Sequence, residues 1–163
     1  MILPEIDPVA FQLGFLSIRW YSLTWLVAFG LIYFLASKNL NKSFKNLGAK
    51  IANSPKELAE QVDLIITCLP SPEVCAQVME SDKGVINGLS ENKIWLEMST
   101  TDESEVKRLG KLVDSKGATP LDGPVSGGCH RAATGNIAIF VGGERKAFEK
   151  ILPVLTVMGR EVL

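Results

Sequence analysis

The residues best suited to chemistry form one stretch, Leu121-Asp122-Gly123-Pro124-Val125-Ser126-Gly127-Gly128. An apolar run ends there in a glycine-dense turn. Two successive glycines leave backbone amides bare of Cβ atoms, free to approach a ligand or to take positive φ. Ser126 adds a hydroxyl that both donates and accepts. Pro124 fixes its own φ and biases Gly123 towards extended geometry. Amides and a hydroxyl in this arrangement suit a small carboxylate. Residue types alone leave a second reading open, an ordinary turn at a strand exit, because short glycine motifs are weak signals. Leu69-Pro70-Ser71 and Ser99-Thr100 also follow apolar runs and lead into helical patterns, whose free N–H groups receive anions. Ser71 and Thr100 equally suit plain helix caps.

Other chemistries are excluded or unsupported. The single histidine, His130, rules out a His-rich metal site, and Cys68, Cys75 and Cys129 form no metal-ligand spacing. Three cysteines without a framework fit a reducing compartment. A net charge of −1, from 17 basic and 18 acidic residues, gives no reason to expect a nucleic-acid partner.

The elements that must position these turns alternate between strand and helix. Ser54-Pro55-Lys56-Glu57 reads as a helix start, with Ser54 as cap and Glu57 closing a capping box. Asp63–Leu69 is a continuous apolar run, as in a strand buried on both faces. Ser71-Pro72 opens a helix towards Met79, and residues 93–98 form the next strand. Thr100 caps a helix whose apolar face is Val106, Leu109, Leu112 and Val113. A short strand leads into Leu121-Asp122, and Asn136–Val141 is another. Gly142-Gly143 turns into a helix from about Glu144, which Pro153 interrupts. This order argues for an α/β fold with a doubly wound, largely parallel sheet, where ligands sit beyond the carboxyl ends of the strands.

The first 37 residues carry only Glu5, Asp7 and Arg19 as charges; the remaining 32 lie beyond them. Residues 20–37 have no charge, and ~18 residues of helix span ~27 Å, close to a bilayer core. Lys38, Lys42, Lys45 and Lys50 follow, so the expected arrangement is a single span in the inner membrane with the C-terminal part cytoplasmic. A soluble cytoplasmic protein is the alternative if the N-terminal segment is an artefact. Ile6-Asp7-Pro8-Val9-Ala10-Phe11, Leu13-Gly14 and Ile18-Arg19-Trp20-Tyr21 resemble the start of prolipoprotein diacylglyceryl transferase. That similarity covers less than a quarter of the chain and includes none of that family's later spans or catalytic positions. Residues 38–50 read as a junction, and residues 51–163 as the domain.

Asp63–Pro70, Met98-Ser99-Thr100, Asp122–Gly128 and Gly135–Gly143 stand in the order found in β-hydroxyacid dehydrogenases, and from about Leu47 to Leu163 the chain resembles that family. The family includes 3-hydroxyisobutyrate dehydrogenase, tartronate semialdehyde reductase and the NADP-binding domain of 6-phosphogluconate dehydrogenase. The resemblance selects the ligand-holding reading of the turn. It implies a Rossmann-like fold and an oxidoreductase using NAD or NADP with a small hydroxyacid or semialdehyde. Leu69 and Pro70 would lie beside the cofactor, and Thr100 would face the nicotinamide ribose. Ser126, Gly127 and Gly128 would hold the substrate carboxylate, Asp122 would brace the turn, and His130 would be a loop residue.

The family opens with a strand and a GxGxMG turn that hold the dinucleotide pyrophosphate, and here Gly30 and Gly48 are isolated. The family's catalytic lysine lies some tens of residues past the Gly-Gly motif, beyond Leu163. Lys146 and Lys150 read as exposed positions of a surface helix, so no catalytic residue is assigned. The resulting expectation is an incomplete Rossmann-like domain, inactive alone, joined near residues 36–48 to a foreign start. Its Asp63–Leu69 strand would form an open sheet edge. A membrane-tethered carboxylate-binding or regulatory module, or a fusion without function, are the competing expectations.

Overall fold

The computed structural model describes residues 48–163 throughout and, before them, residues 9–13, 16–19, 38, 42, 45 and 46. The chain divides into two units, Met1–Ile51 and Ala52–Leu163. In the first, β1 (Val9–Leu13) and β2 (Leu16–Arg19) pair antiparallel. The expected membrane span at 20–37 lies outside the described residues. Among the described residues, no helix is long and apolar enough to cross a membrane.

The second unit begins with α1 (Pro55–Gln61), whose cap is Ser54: its hydroxyl accepts the Glu57 N–H at 3.1 Å. Glu57 reaches past the cap, accepting the Asn53 backbone N–H at 2.8 Å rather than that of Ser54. The far end of α1 is closed by Lys93, whose ammonium donates to the carbonyls of Ala59 and Val62 at 2.7 and 2.6 Å. There follow β3 (Leu64–Thr67), α2 (Pro72–Glu80), a single 3₁₀ turn (Val85–Gly88), β4 (Ile94–Glu97), α3 (Glu103–Asp114) and β5 (Thr119–Asp122). The rest comprises β6 (Val125–Ser126), α4 (Gly128–Ala133), β7 (Ile137–Ile139), β8 (Gly142–Gly143), α5 (Arg145–Met158) and β9 (Gly159–Val162).

Two sheets result. One has the order β3-β4-β5-β8, and the other β6-β7-β9. β3, β4 and β5 are parallel, with Thr67, Glu97 and Asp122 in one register row at their carboxyl ends. β8 returns antiparallel along β5, so the expectation of a parallel sheet becomes a mixed one. The Gly142-Gly143 pair is therefore a short strand rather than only a turn.

Alternation along β4 fills two cores. Trp95 packs with Ala59, Ile65, Cys75, Met79, Leu109 and Val113 on one face. Ile94, Leu96 and Met98 pack with Leu121, Ile139, Ile151 and Leu155 on the other. β4 is buried throughout, as its apolar run requires. β3 departs from the expectation of two buried faces: Ile65 and Thr67 are buried, whereas Ile66 is 38% exposed. Among the described residues β3 pairs on one side only, with β4.

Two other expectations are corrected. The cap of α3 is Asp102, which accepts the Ser104 N–H, and Thr100 lies exposed outside the helix, two residues before the cap. An aspartate one residue before the first turn outcompetes a threonine placed too early. Pro153 does not interrupt α5, which runs through it. The proline sits on the exposed side, where the Glu149 carbonyl that loses its donor can turn to water. The opposite stripe, Ala147, Ile151 and Leu155, stays buried and holds the helix.

Candidate functional site at the carboxyl edge

Three loops leave the carboxyl ends of β3, β4 and β5, and hydrogen bonds tie them together. The Leu69 N–H donates to Ser99 Oγ at 2.7 Å, joining the first loop to the second. The Gly123 N–H donates to the Glu97 carbonyl at 2.6 Å, joining the third to the second. A Cβ on Gly123 would stand 2.7 Å from Leu96 Cδ1, so any larger residue here would push that buried side chain aside. That backbone bond, rather than Asp122, braces the turn: the Asp122 side chain makes no hydrogen bond among the described residues.

Beneath the loops lies a buried polar cluster. Glu97 has no exposed surface and accepts three donors: the Thr67 hydroxyl at 2.6 Å, the Cys75 thiol at 2.9 Å and the Ser99 N–H at 2.7 Å. Thr67 in turn accepts the Trp95 indole N–H at 2.8 Å. Both carboxyl oxygens are thus occupied, as burial of such a group requires. Burial pushes the Cys75 thiol up from its ordinary 9.0 to about 12, with its hydrogen bond to Glu97 and the Glu97 and Glu105 charges adding to the effect. Asp122 is also raised, by burial first and by the Glu97 charge second.

The thiol has a testable consequence. Its folded value lies above its unfolded one, so its contribution to stability is complete below pH 9 and is lost as pH rises towards 12. Denaturant midpoints are expected to fall over that window. The Cys75→Ala variant should show a shallower decline; parallel profiles would show that the thiol does not contribute.

The sequence-selected residues take distinct places. Leu69 is half-buried at the end of β3, Pro70 is exposed, and Ser71 caps α2 by accepting the Val74 N–H. Thr100 is exposed beside buried Ser99. Ser126, Gly127 and Gly128 are exposed together, Ser126 at the end of β6 and the glycines at the start of α4. Gly127 takes φ +133°, which L side chains rarely adopt, and the Arg131 stem packs against it. His130 lies on α4 rather than in a loop, and exposed. Lys146 and Lys150 are exposed on α5.

Sequence reading missed Glu97, Thr67 and Ser99 as the anchors of these loops. A charged residue inside the apolar run 94–98 was the available signal, because a carboxyl there must find partners. It also missed Thr101, next to Thr100; the Thr101 hydroxyl is buried with no hydrogen-bond partner among the described residues. A hydroxyl so placed at a loop edge can pair with water or with a polar group of a bound ligand.

Comparison with known proteins gives this edge its context. Residues 29–163 match the family model described as the NAD binding domain of 6-phosphogluconate dehydrogenase. Mouse mitochondrial 3-hydroxyisobutyrate dehydrogenase is 38% identical over 122 residues, covering 75% of this chain and 36% of that protein. A structure of Mycobacterium tuberculosis 3-hydroxyisobutyrate dehydrogenase with L-serine superposes with a TM-score of 0.61 at 29% identity, covering 69% of this chain and 38% of that one. An imine reductase from Myxococcus stipitatus in complex with NADP+ shares the fold, with a TM-score of 0.68 at 20% identity, covering 77% of this chain and 43% of that one. The chain spans about two fifths of the length of these relatives. The family match begins at residue 29, not near residue 47, and takes in part of the apolar run at 20–37. A join at 36–48 to a diacylglyceryl-transferase start therefore has no support from these matches. With a mixed α/β unit, three tied loops at its carboxyl edge and a family match over most of its length, the chain belongs to the family of the NAD-binding domain of 6-phosphogluconate dehydrogenase.

Proposed function

We propose that this chain supplies an NAD(P)- and substrate-facing edge of a 3-hydroxyisobutyrate dehydrogenase-like oxidoreductase. The observation that carries this reading is the tying of the three loops through Ser99 and Glu97, with the Thr101 hydroxyl buried there and without a partner among the described residues. The residues fit the nicotinamide half of a dinucleotide. Leu69 and Pro70 offer an apolar wall, Thr100 an exposed hydroxyl, and Thr101 a hydroxyl lacking a partner. A bound nicotinamide would accept or deliver hydride. On the substrate side, the Ser126 hydroxyl and the amides of Gly127 and Gly128 would hold the carboxylate of a small β-hydroxyacid or its semialdehyde. NAD and NADP both suit the described residues.

The test is a titration of the protein with NADH and with NADPH, followed by nicotinamide fluorescence. Saturable enhancement with at least one nucleotide is expected. Thr100→Val, which removes a hydroxyl without removing bulk, should weaken binding by about threefold to tenfold. No saturable signal with either nucleotide sinks the reading. Carboxylate binding without nucleotide binding would instead favour a carboxylate-binding module.

A further inference from the structure

A cavity of about 140 Å³ lies beside the glycine turn, bordered by Arg131, Asn136, Ile137, Ala138, Arg160 and Glu161. One water needs only ~10–15 Å³, so an anion of several heavy atoms fits. The topology explains how this cavity comes to lie at the turn. β7 runs antiparallel to β6, pairing Ala138 with Ser126, so the start of β7 returns to the turn. β9 runs parallel to β7, pairing Gly159 with Ile137, which brings Arg160 to the same edge. Arg131 reaches there from α4, with its Cδ and Cβ 3.0 and 3.2 Å from where a Gly127 Cβ would stand.

The charges around the cavity form no ion pairs among the described residues. Arg108 and Arg145 pair with glutamates, whereas neither Arg131 nor Arg160 forms an ion pair among the described residues. Glu161 borders the same space without pairing to either. Two guanidiniums against one carboxylate leave a net positive site, and Asn136 adds an amide that donates. Guanidinium forks match the geometry of carboxylate and phosphate oxygens.

We propose that this cavity is an oxyanion site that takes the second acid group of the substrate held at the Ser126–Gly128 turn. The chain then prefers hydroxyacids with two acid groups over those with one. The proposal rests on the turn's being the carboxylate grip described above. It needs no nucleotide contact, so it can be tested separately from nucleotide binding.

The experiment is calorimetry on the full chain with malonate, succinate and glutarate, with butyrate as the single-acid control, and with inorganic phosphate as a probe of the cavity alone. At least one dicarboxylate is expected to bind about tenfold or more tighter than butyrate. The Arg131→Met and Arg160→Met variants should each erase that advantage, and phosphate binding should fall with them. Both side chains are exposed and form no ion pair among the described residues, and methionine keeps the aliphatic stem that packs at Gly127, so these changes should leave the thermal unfolding of the chain unaltered. Arg131→Lys and Arg160→Lys keep the charge but lose the fork, and are expected to retain only part of the advantage. Equal affinities for mono- and dicarboxylates, or an advantage that survives the double methionine variant, overturn the proposal. Ser126→Ala reports on the turn. If it leaves carboxylate binding unchanged while phosphate still depends on the arginines, the carboxylate-grip reading falls and with it the two-point grip. If it weakens butyrate but the arginine variants change nothing, only the cavity proposal falls.

Discussion

Trp95→Ala is expected to lower the unfolding free energy by about 3–5 kcal/mol, the range for deleting a fully buried large aromatic. Trp95 has no exposed surface and lies at the centre of β4, with Ile65 beside it in register and Cys75, Met79, Leu109 and Val113 in the same cluster. Three helices and the sheet meet there, so the void cannot close by a local shift. The indole N–H is also the donor to Thr67, which in turn donates to Glu97. Trp95→Phe separates the two contributions. It keeps most of the ring but loses that hydrogen bond and some bulk, and should cost about 1–2 kcal/mol. Against a typical domain stability of ~5–15 kcal/mol, that loss takes from about a fifth of the margin to all of it. Urea denaturation followed by far-ultraviolet circular dichroism measures both. A loss below about 1 kcal/mol for Trp95→Ala would mean that the cluster is not the core of the unit.

The second large effect is at Glu97. Removing its carboxyl leaves the Ser99 N–H with no acceptor at 5% exposure of its residue, and strands the Thr67 hydroxyl and the Cys75 thiol. A buried backbone donor left unpaired costs ~1–3 kcal/mol. With the void added, Glu97→Ala should lose about 3 kcal/mol or more. Glu97→Gln keeps an acceptor for Ser99 but turns an NH₂ towards Thr67 and Cys75, and is expected to lose about 1–2 kcal/mol. The loops give a second readout. Ser99 Oγ receives the Leu69 N–H, so releasing Ser99 frees the β3 loop as well. Nucleotide affinity is therefore expected to fall in Glu97→Ala under conditions where the chain stays folded, and to fall much less in Glu97→Gln, which keeps the Ser99 acceptor. Unchanged stability and affinity in both variants would show that the cluster is dispensable.

What the sequence made legible follows from which forces are local. Ser54 and Ser71 announced their helices because a cap needs only a hydroxyl and the N–H three residues on. The apolar run at 94–98 announced a buried strand because both faces need cover. The stripe Leu109 and Val113 announced the buried side of α3. Pairing partners were not local. Whether Gly142-Gly143 forms a strand depends on Leu121 and Asp122 lying alongside, some twenty residues earlier. Whether Ile66 is covered depends on what packs against β3, which periodicity cannot state. Pro153 misled because its penalty is fixed while the packing of the opposite stripe is set by the whole unit. At the candidate site, the glycine turn was visible from composition. The anchoring by Glu97 was not, since its three donors come from β3, α2 and the loop after β4. Arg131 and Arg160 stand 29 positions apart and meet only because β7 and β9 run side by side.

The side of β3 left unpaired among the described residues has a consequence for how recognition and strand pairing are linked. Its outward backbone groups can accept one more neighbour, and a parallel newcomer would finish next to Cys68–Ser71, at the threshold of the ligand edge. Docking such a ribbon would at once shelter Ile66 and bring a new loop to the side where the others gather. A molecule held across that threshold would clamp newcomer and host together, so ligand capture and sheet extension would reinforce each other as a single cooperative event.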